Sequence, residues 1–133
     1  MSRGRGSASS VIVMVTLISL LCLLVMVERH SPAAKTHIVG GPGGWTFNTD
    51  TWPIGQKFLH DDVLIFNYDP TTHNVVAVDS TGYSNCKTSP ANAKVYSSGN
   101  DQIRVYRGMN CFICNFTGHC ESGMKLAINA VLR

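Results

Sequence analysis

Apolar residues are distributed along this chain in two ways. VIVMVTLISLLCLLVMV, Val11 to Val27, is an unbroken apolar run of 17 residues. Farther on, the pattern changes to short runs broken by turn residues. VLIFNY, Val63 to Tyr68, and HNVVAV, His73 to Val78, are rich in β-branched and aromatic side chains, and Asp69-Pro70 punctuates the gap between them. AKVYSSGNDQIRVYRG predicts two strands around the turn Ser98-Gly99-Asn100, and CFICNF a further short strand. MKLAINAV alternates, with Met124, Leu126, Ile128 and Ala130 on one face and Lys125 and Asn129 on the other. Helical periodicity is weak, and the best place for a short helix is Thr81 to Ala91. Six to eight short strands in about 100 residues predict an all-β fold, a two-sheet antiparallel sandwich.

The first regime has a different meaning. MSRGRGSASS carries Arg3 and Arg5 and no acid, and small residues follow the apolar run at Ser31, Ala33 and Ala34. Basic start, apolar middle and small-residue exit are the three parts of a secretory signal peptide. A run of 17 residues is near the lower limit for crossing a bilayer. The expected organisation is a leader at 1–34 and a mature domain at 35–133. Those 99 residues can bury roughly 60–65 % of their unfolded surface, so one disulfide or metal matters to stability.

Charge narrows the function. The chain carries +3, but residues 35–133 hold eight Lys and Arg against seven Asp and Glu, a balance of +1 with no basic block. Nucleic acid is therefore a poor partner. The sequence stops at NAVLR without the hydrophobic tail of a GPI anchor. A soluble, secreted monomer with no membrane anchor after cleavage is the expectation. Cys22 leaves with the leader, and Cys86, Cys111, Cys114 and Cys120 remain. In an oxidising compartment four cysteines allow two disulfides in three pairings.

CNFTGHCESGMK, residues 114 to 125, carries the candidate chemistry. It offers a thiolate, an imidazole and a thioether in the spacing Cys114-x4-His119-x4-Met124. Soft sulfur ligands select copper, zinc or iron–sulfur clusters, and imidazole suits copper and zinc. If the loop joins two neighbouring strands, all three groups converge. A fourth ligand must then come from His37, His60 or His73. His37 lies near the new N-terminus, and His60 in LHDD reads as a solvated loop. His73 follows the DPTT turn and opens an apolar strand, which holds an imidazole still. Two histidines, one cysteine and a weak axial methionine make the blue-copper electron-transfer set.

Three rivals compete. Cys111-x2-Cys114-x4-His119 has the spacing of a zinc knuckle, but position 124 is methionine, a poor zinc ligand. Two disulfides without metal would make a disulfide-stabilised extracellular interaction domain that has lost electron transfer. An enzyme built on a Cys114–His119 nucleophilic pair lacks an oxyanion loop and an orienting acid, and the chain has no His-x-His pair for oxidase copper sites.

The chain resembles the phytocyanins, the plant blue-copper family, and within it the plantacyanin or basic blue branch. VGGPGGWTFN, TWP at Thr51 to Pro53, FNYDPTTHNVV, AKVYSSGNDQI, FICNFTGHCESGMK and INAV carry the resemblance over nearly the whole mature chain. It implies a Greek-key, cupredoxin-like β-sandwich, one type 1 copper held by His73, Cys114, His119 and Met124, and a disulfide joining Cys86 to Cys120. It implies that Asn74 braces the two ligand loops and that the exposed edge of His119 passes the electron to a redox partner, unidentified from sequence. It also implies an extracellular location, in the apoplast or cell wall. Two features depart from it. The balance of +1 is low for a basic protein, and Cys111 is unexpected; three residues from Cys114 on a strand, it should face away from the copper. Asn115-Phe116-Thr117 is a glycosylation sequon beside a ligand.

Overall fold

The computed structural model describes residues 7–25 and 31–133. Arg3, Arg5, Val27, Glu28 and Arg29 lie outside the described residues. The chain divides into two units, the second running from Pro32 to Arg133. In the first, α1 (Ser7–Val25) is a helix of 19 residues, exposed throughout and long and apolar enough to cross a membrane.

The second unit is a two-sheet β-sandwich. One sheet has the order β1-β3-β6, from β1 (Thr36–Ile38), β3 (Val63–Asn67) and β6 (Asn100–Arg104). The other has the order β2-β8-β7-β4-β5, from β2 (Phe58–Leu59), β4 (Val75–Val78), β5 (Val95–Tyr96), β7 (Gly108–Ile113) and β8 (Lys125–Val131). Both sheets are mixed, because β1 pairs parallel with β3 and β2 parallel with β8. The predicted all-antiparallel arrangement is corrected there. The two strands flanking Ser98-Gly99-Asn100 form no hairpin: β5 pairs with β4 and β6 with β3, so the chain changes sheet at that turn.

Alternation decides what is inside. Met124, Leu126, Ile128 and Ala130 point into the core while their neighbours on β8 do not. They meet Val39, Trp45, Leu64, Phe66, Val75 and Phe112 from the other elements. Trp45 packs edge-on against Phe66, with ring centroids 5.1 Å apart. Each such large side chain contributes about 1.5–3 kcal/mol by leaving water. Gly44 has to be glycine, since a Cβ there would lie 2.6 Å from the Asn67 carbonyl oxygen that accepts the Trp45 N–H.

The short helix is α2 (Ser80–Asn85), shorter than the span the sequence suggested. The Asp79 carboxylate caps it by accepting the Gly82 N–H at 2.7 Å. The helix ends at Cys86, in the left-handed region at φ 51°. Tyr83 and Cys86 cover the outer face of β4 and β7 at Val76 and Ile113.

Candidate metal centre

The site forms at one end of the sandwich, where two loops meet. The first precedes β4. The Asp69 carboxylate accepts the Thr71 N–H at 2.9 Å and its hydroxyl at 2.6 Å, and the Asp69 carbonyl accepts the His73 N–H at 3.0 Å. This self-bonded turn sets His73 two residues ahead of the strand, not within it.

The second loop leaves β7 and returns as β8. Cys114 donates its N–H to the Met124 carbonyl at 3.1 Å, and Met124 donates to the His119 carbonyl at 3.1 Å. The Cys-x4-His-x4-Met segment is therefore closed by its own backbone. Gly123 makes the return with φ 82°, and a side chain there would press on the Asn48 backbone at 3.1 Å. Cys114 and Met124 are fully buried, while His73 and His119 are half-buried.

Three donor atoms converge. The Nδ1 atoms of His73 and His119 are 3.1 Å apart, and the Cys114 Sγ lies 3.5 Å from the His119 Nδ1. All three ligand atoms lie within 4.8 Å of one another. Met124 is fully buried in the same core cluster as Cys114. Burial, then the neighbouring His119, hold the His73 imidazole below its ordinary pKa, while Asp69 opposes them. Two imidazoles and a thiol crowded this closely fit a soft or borderline cation, which accepts their lone pairs together.

Asn74 links the loops. It is buried, donates to the Asn115 Oδ1 at 2.7 Å and accepts the Asn115 N–H at 3.0 Å, while its carbonyl takes the Trp45 indole N–H at 2.9 Å. The core tryptophan thus fixes the first loop and Asn74 fixes the second to it. A disulfide joins Cys86 to Cys120, tying the end of α2 to the residue beside His119.

Cys111 is elsewhere. Along β7, Phe112 and Cys114 enter the core, while Cys111 and Ile113 face the opposite side. Cys111 is a buried free thiol lining a cavity of about 340 Å³ with Asp79, Arg104 and Met109. Burial, with a smaller contribution from Asp79, pushes its pKa up. A zinc knuckle needs Cys111 beside Cys114, and β7 sends the two thiols to opposite faces. The same geometry leaves Cys111 and Cys114 unbridged, so the structure holds one disulfide where the metal-free alternative needs two.

Two aromatic neighbours of the site are not among the candidate residues. Phe47 stands edge-on to both imidazoles, with centroids 5.8 Å from His73 and 5.1 Å from His119. Phe116 also packs against His119, with ring centroids 5.8 Å apart. Both lie within stretches that carry the family resemblance, VGGPGGWTFN and FICNFTGHCESGMK, but their spacing does not mark them as neighbours of the histidines. His37 and His60 stay outside the cluster. His37 is buried and bonded to Asp62 at 2.9 Å, contrary to its expected place near a loose terminus. Asp62 is equally buried, so LHDD is only partly the solvated loop the sequence suggested.

Comparison with known proteins places this arrangement. A family profile described as plastocyanin-like domain matches residues 45–124. A basic blue protein of Cucumis sativus is 59 % identical over 95 residues, covering 71 % of this chain and 98 % of its own. A basic blue protein of Arabidopsis thaliana is 52 % identical over 132 residues, covering 98 % of this chain and all of its own. A solved structure described as cucumber basic protein, a blue copper protein, superposes with a TM-score of 0.70 at 59 % identity, covering 71 % of this chain and 98 % of that one. With the sandwich, the two-loop site and these relatives in agreement, the chain belongs to the phytocyanins, plastocyanin-like proteins of cupredoxin fold, on their basic blue branch.

Proposed function

We propose that the domain carries single electrons, with His73, Cys114, His119 and Met124 holding one type 1 copper ion. The observation that carries this reading is the convergence of two imidazole Nδ1 atoms and one thiol sulfur within 4.8 Å. When bound, copper supplies the Cu(II)/Cu(I) couple and an intense thiolate absorption. The rest of the work falls to the chain. The Cys114 sulfur gives up its proton on binding, and the lowered pKa of His73 favours the neutral imidazole that a metal needs. The Asn74–Asn115 bonds and the Cys86–Cys120 bridge hold the donors in place through a change of charge. Rigidity of this kind keeps rearrangement small when an electron moves.

His119 is half-buried, with Phe47 and Phe116 against its ring, and its exposed edge is the place where an electron leaves for a redox partner. The likeness to a solved blue copper protein supports the carrier reading. Residues 1–34 act as the secretory leader, and the mature domain works as a monomer in the apoplast or cell wall.

The test is the visible absorption and EPR spectrum of the protein recovered from a secreting host and loaded with Cu(II). An intense blue band with narrow copper hyperfine splitting is expected. A colourless protein that binds no copper overturns the reading.

A further inference from the structure

Just ahead of β1 the structure holds a buried cluster of charge that shares no residue with the metal centre. Asp62 has 1 % of its surface exposed. Its Oδ1 accepts the backbone N–H of Lys35 at 2.9 Å and a guanidinium N–H of Arg133. Its Oδ2 accepts the Leu59 N–H at 3.0 Å and faces the His37 Nε2 at 2.9 Å. Lys35 is also where the sheet begins: its carbonyl accepts the Val63 N–H, and β1 starts at the next residue. Residues 31–34 belong to no strand and are exposed, and the Pro32 and Ala33 carbonyls accept from Arg133.

We propose that the Ala34–Lys35 peptide bond is the processing site, and that its hydrolysis turns the Lys35 amide into an α-ammonium that forms an ion pair with Asp62. This rests on the secretory reading given above. In the hydrolysis, water adds across the bond: the Ala34 carbonyl carbon takes the hydroxyl and the Lys35 nitrogen is protonated. A peptidase of the secretory pathway catalyses the step. Cleavage thus exchanges two neutral acceptors on Arg133, at Pro32 and Ala33, for a cation already placed 2.9 Å from a buried carboxylate. A neutral N–H donor becomes a charged one without moving the nitrogen, and charge-assisted bonds are roughly twice as strong as neutral ones. Cleavage one residue earlier would leave Ala34 in the way and keep the Lys35 nitrogen an amide. The folded domain therefore favours one terminus over its neighbours.

The pH dependence has a fixed sign. An α-amine ordinarily titrates at about 7.7–8.0, and a carboxylate at this distance raises that value. The added stability is complete below the unfolded amine's pKa and disappears as pH rises through the folded one. His37 and Arg133 also face Asp62, while His60 and Arg104 turn to Asp61 instead.

The experiment compares two secreted proteins. One is the natural chain; the other has Gly-Ser inserted between Ala34 and Lys35. Intact mass gives each N-terminus, and melting is followed from pH 6 to pH 10. The natural protein should begin at Lys35 and melt about 4–8 °C higher near neutrality, the gap closing at alkaline pH. Asp62→Asn in both proteins should abolish the gap. Should those variants fail to fold, nitrogen-15 NMR of the Lys35 α-amine in the unmutated protein reads the same contact as a raised pKa. A different N-terminus overturns the processing site. A Lys35 terminus with an ordinary amine pKa and no melting gap overturns the ion pair. A protein that keeps α1 overturns the secretory reading as well, whereas loss of blue colour with an intact gap touches only the copper reading.

Discussion

Asn74 and Asn115 exchange two hydrogen bonds, at 2.7 Å and 3.0 Å, across the gap between the loop that carries His73 and the loop that carries His119. One of them satisfies a backbone N–H that Asn74→Ala would leave without its partner. Such a loss costs about 1–3 kcal/mol where the group stays out of water. The variant should unfold at lower denaturant concentration, and its copper hyperfine splitting should differ from the natural protein's. Unchanged stability and an unchanged spectrum together would argue that the loops are held by other contacts.

The same pair bears on the sequon at Asn115. Its Oδ1 is taken by Asn74 and its Nδ2 lies 3.4 Å from the Thr88 hydroxyl, so both ends of the amide are in use. A glycan on Nδ2 would have to displace Thr88 beside the metal centre. The secreted protein should therefore carry no glycan mass, with no shift after treatment with an N-glycosidase.

The free thiols of Cys111 and Cys114 should behave oppositely. Cys114→Ser removes the sulfur 3.5 Å from the His119 Nδ1 and should abolish the blue band. Cys111→Ser changes a thiol on the other face of β7 and should leave the band in place. Visible spectra of the two copper-loaded variants decide this; an intensely blue Cys114→Ser protein would reject the ligand assignment.

Phe47 covers both imidazoles edge-on. Phe47→Ala should open a path for small anions and chelators to the histidine pair. Release of copper to a chelator should be faster than in the natural protein, with the fold's melting temperature little changed. Equal release rates would mean that Phe47 does not guard the site.

Asp62 contributes to the domain's stability in acid. Burial alone would raise its pKa, but bonds from His37, the Lys35 and Leu59 N–H groups and Arg133 outweigh that and hold it at about 2. A carboxylate depressed in the fold adds stability above its unfolded pKa and loses that contribution as pH falls through the folded value. Here the contribution is about 2 kcal/mol, lost between roughly pH 4 and pH 2. Melting temperatures over that window should drop steeply in the natural protein and more shallowly in Asp62→Asn. In the same way, replacing both Cys86 and Cys120 by serine should cost about 2–5 kcal/mol at any pH.

Parts of this architecture were legible in the sequence because local rules suffice for them. The alternation from Met124 to Ala130 needed only the two-residue period of a strand, and all four inward residues are buried. The loop from Cys114 to Met124 could be read as one unit because its ends are neighbours through strand pairing. Distant pairing hid the rest. β1 and β2, of three and two residues, are too short to show a pattern, and their parallel partners lie far along the chain. His37 looked loose and Asp62 solvated because the groups that bury them come from other segments. Arg133 lies 71 residues from Asp62. Phe47 lay inside VGGPGGWTFN, yet nothing there tied it to the histidines, since an aromatic in a loop acquires a role only from what it stands over.

The two histidines of the site are 46 residues apart in sequence, and β4 and β7 must pair before their loops can meet. Blue colour then requires the sandwich to have closed at that end. In a refolding experiment with copper present from the start, absorbance would grow as β4 pairs with β7 and not with early collapse. The pigment would serve as a clock for that one closure, readable by eye and without any added label.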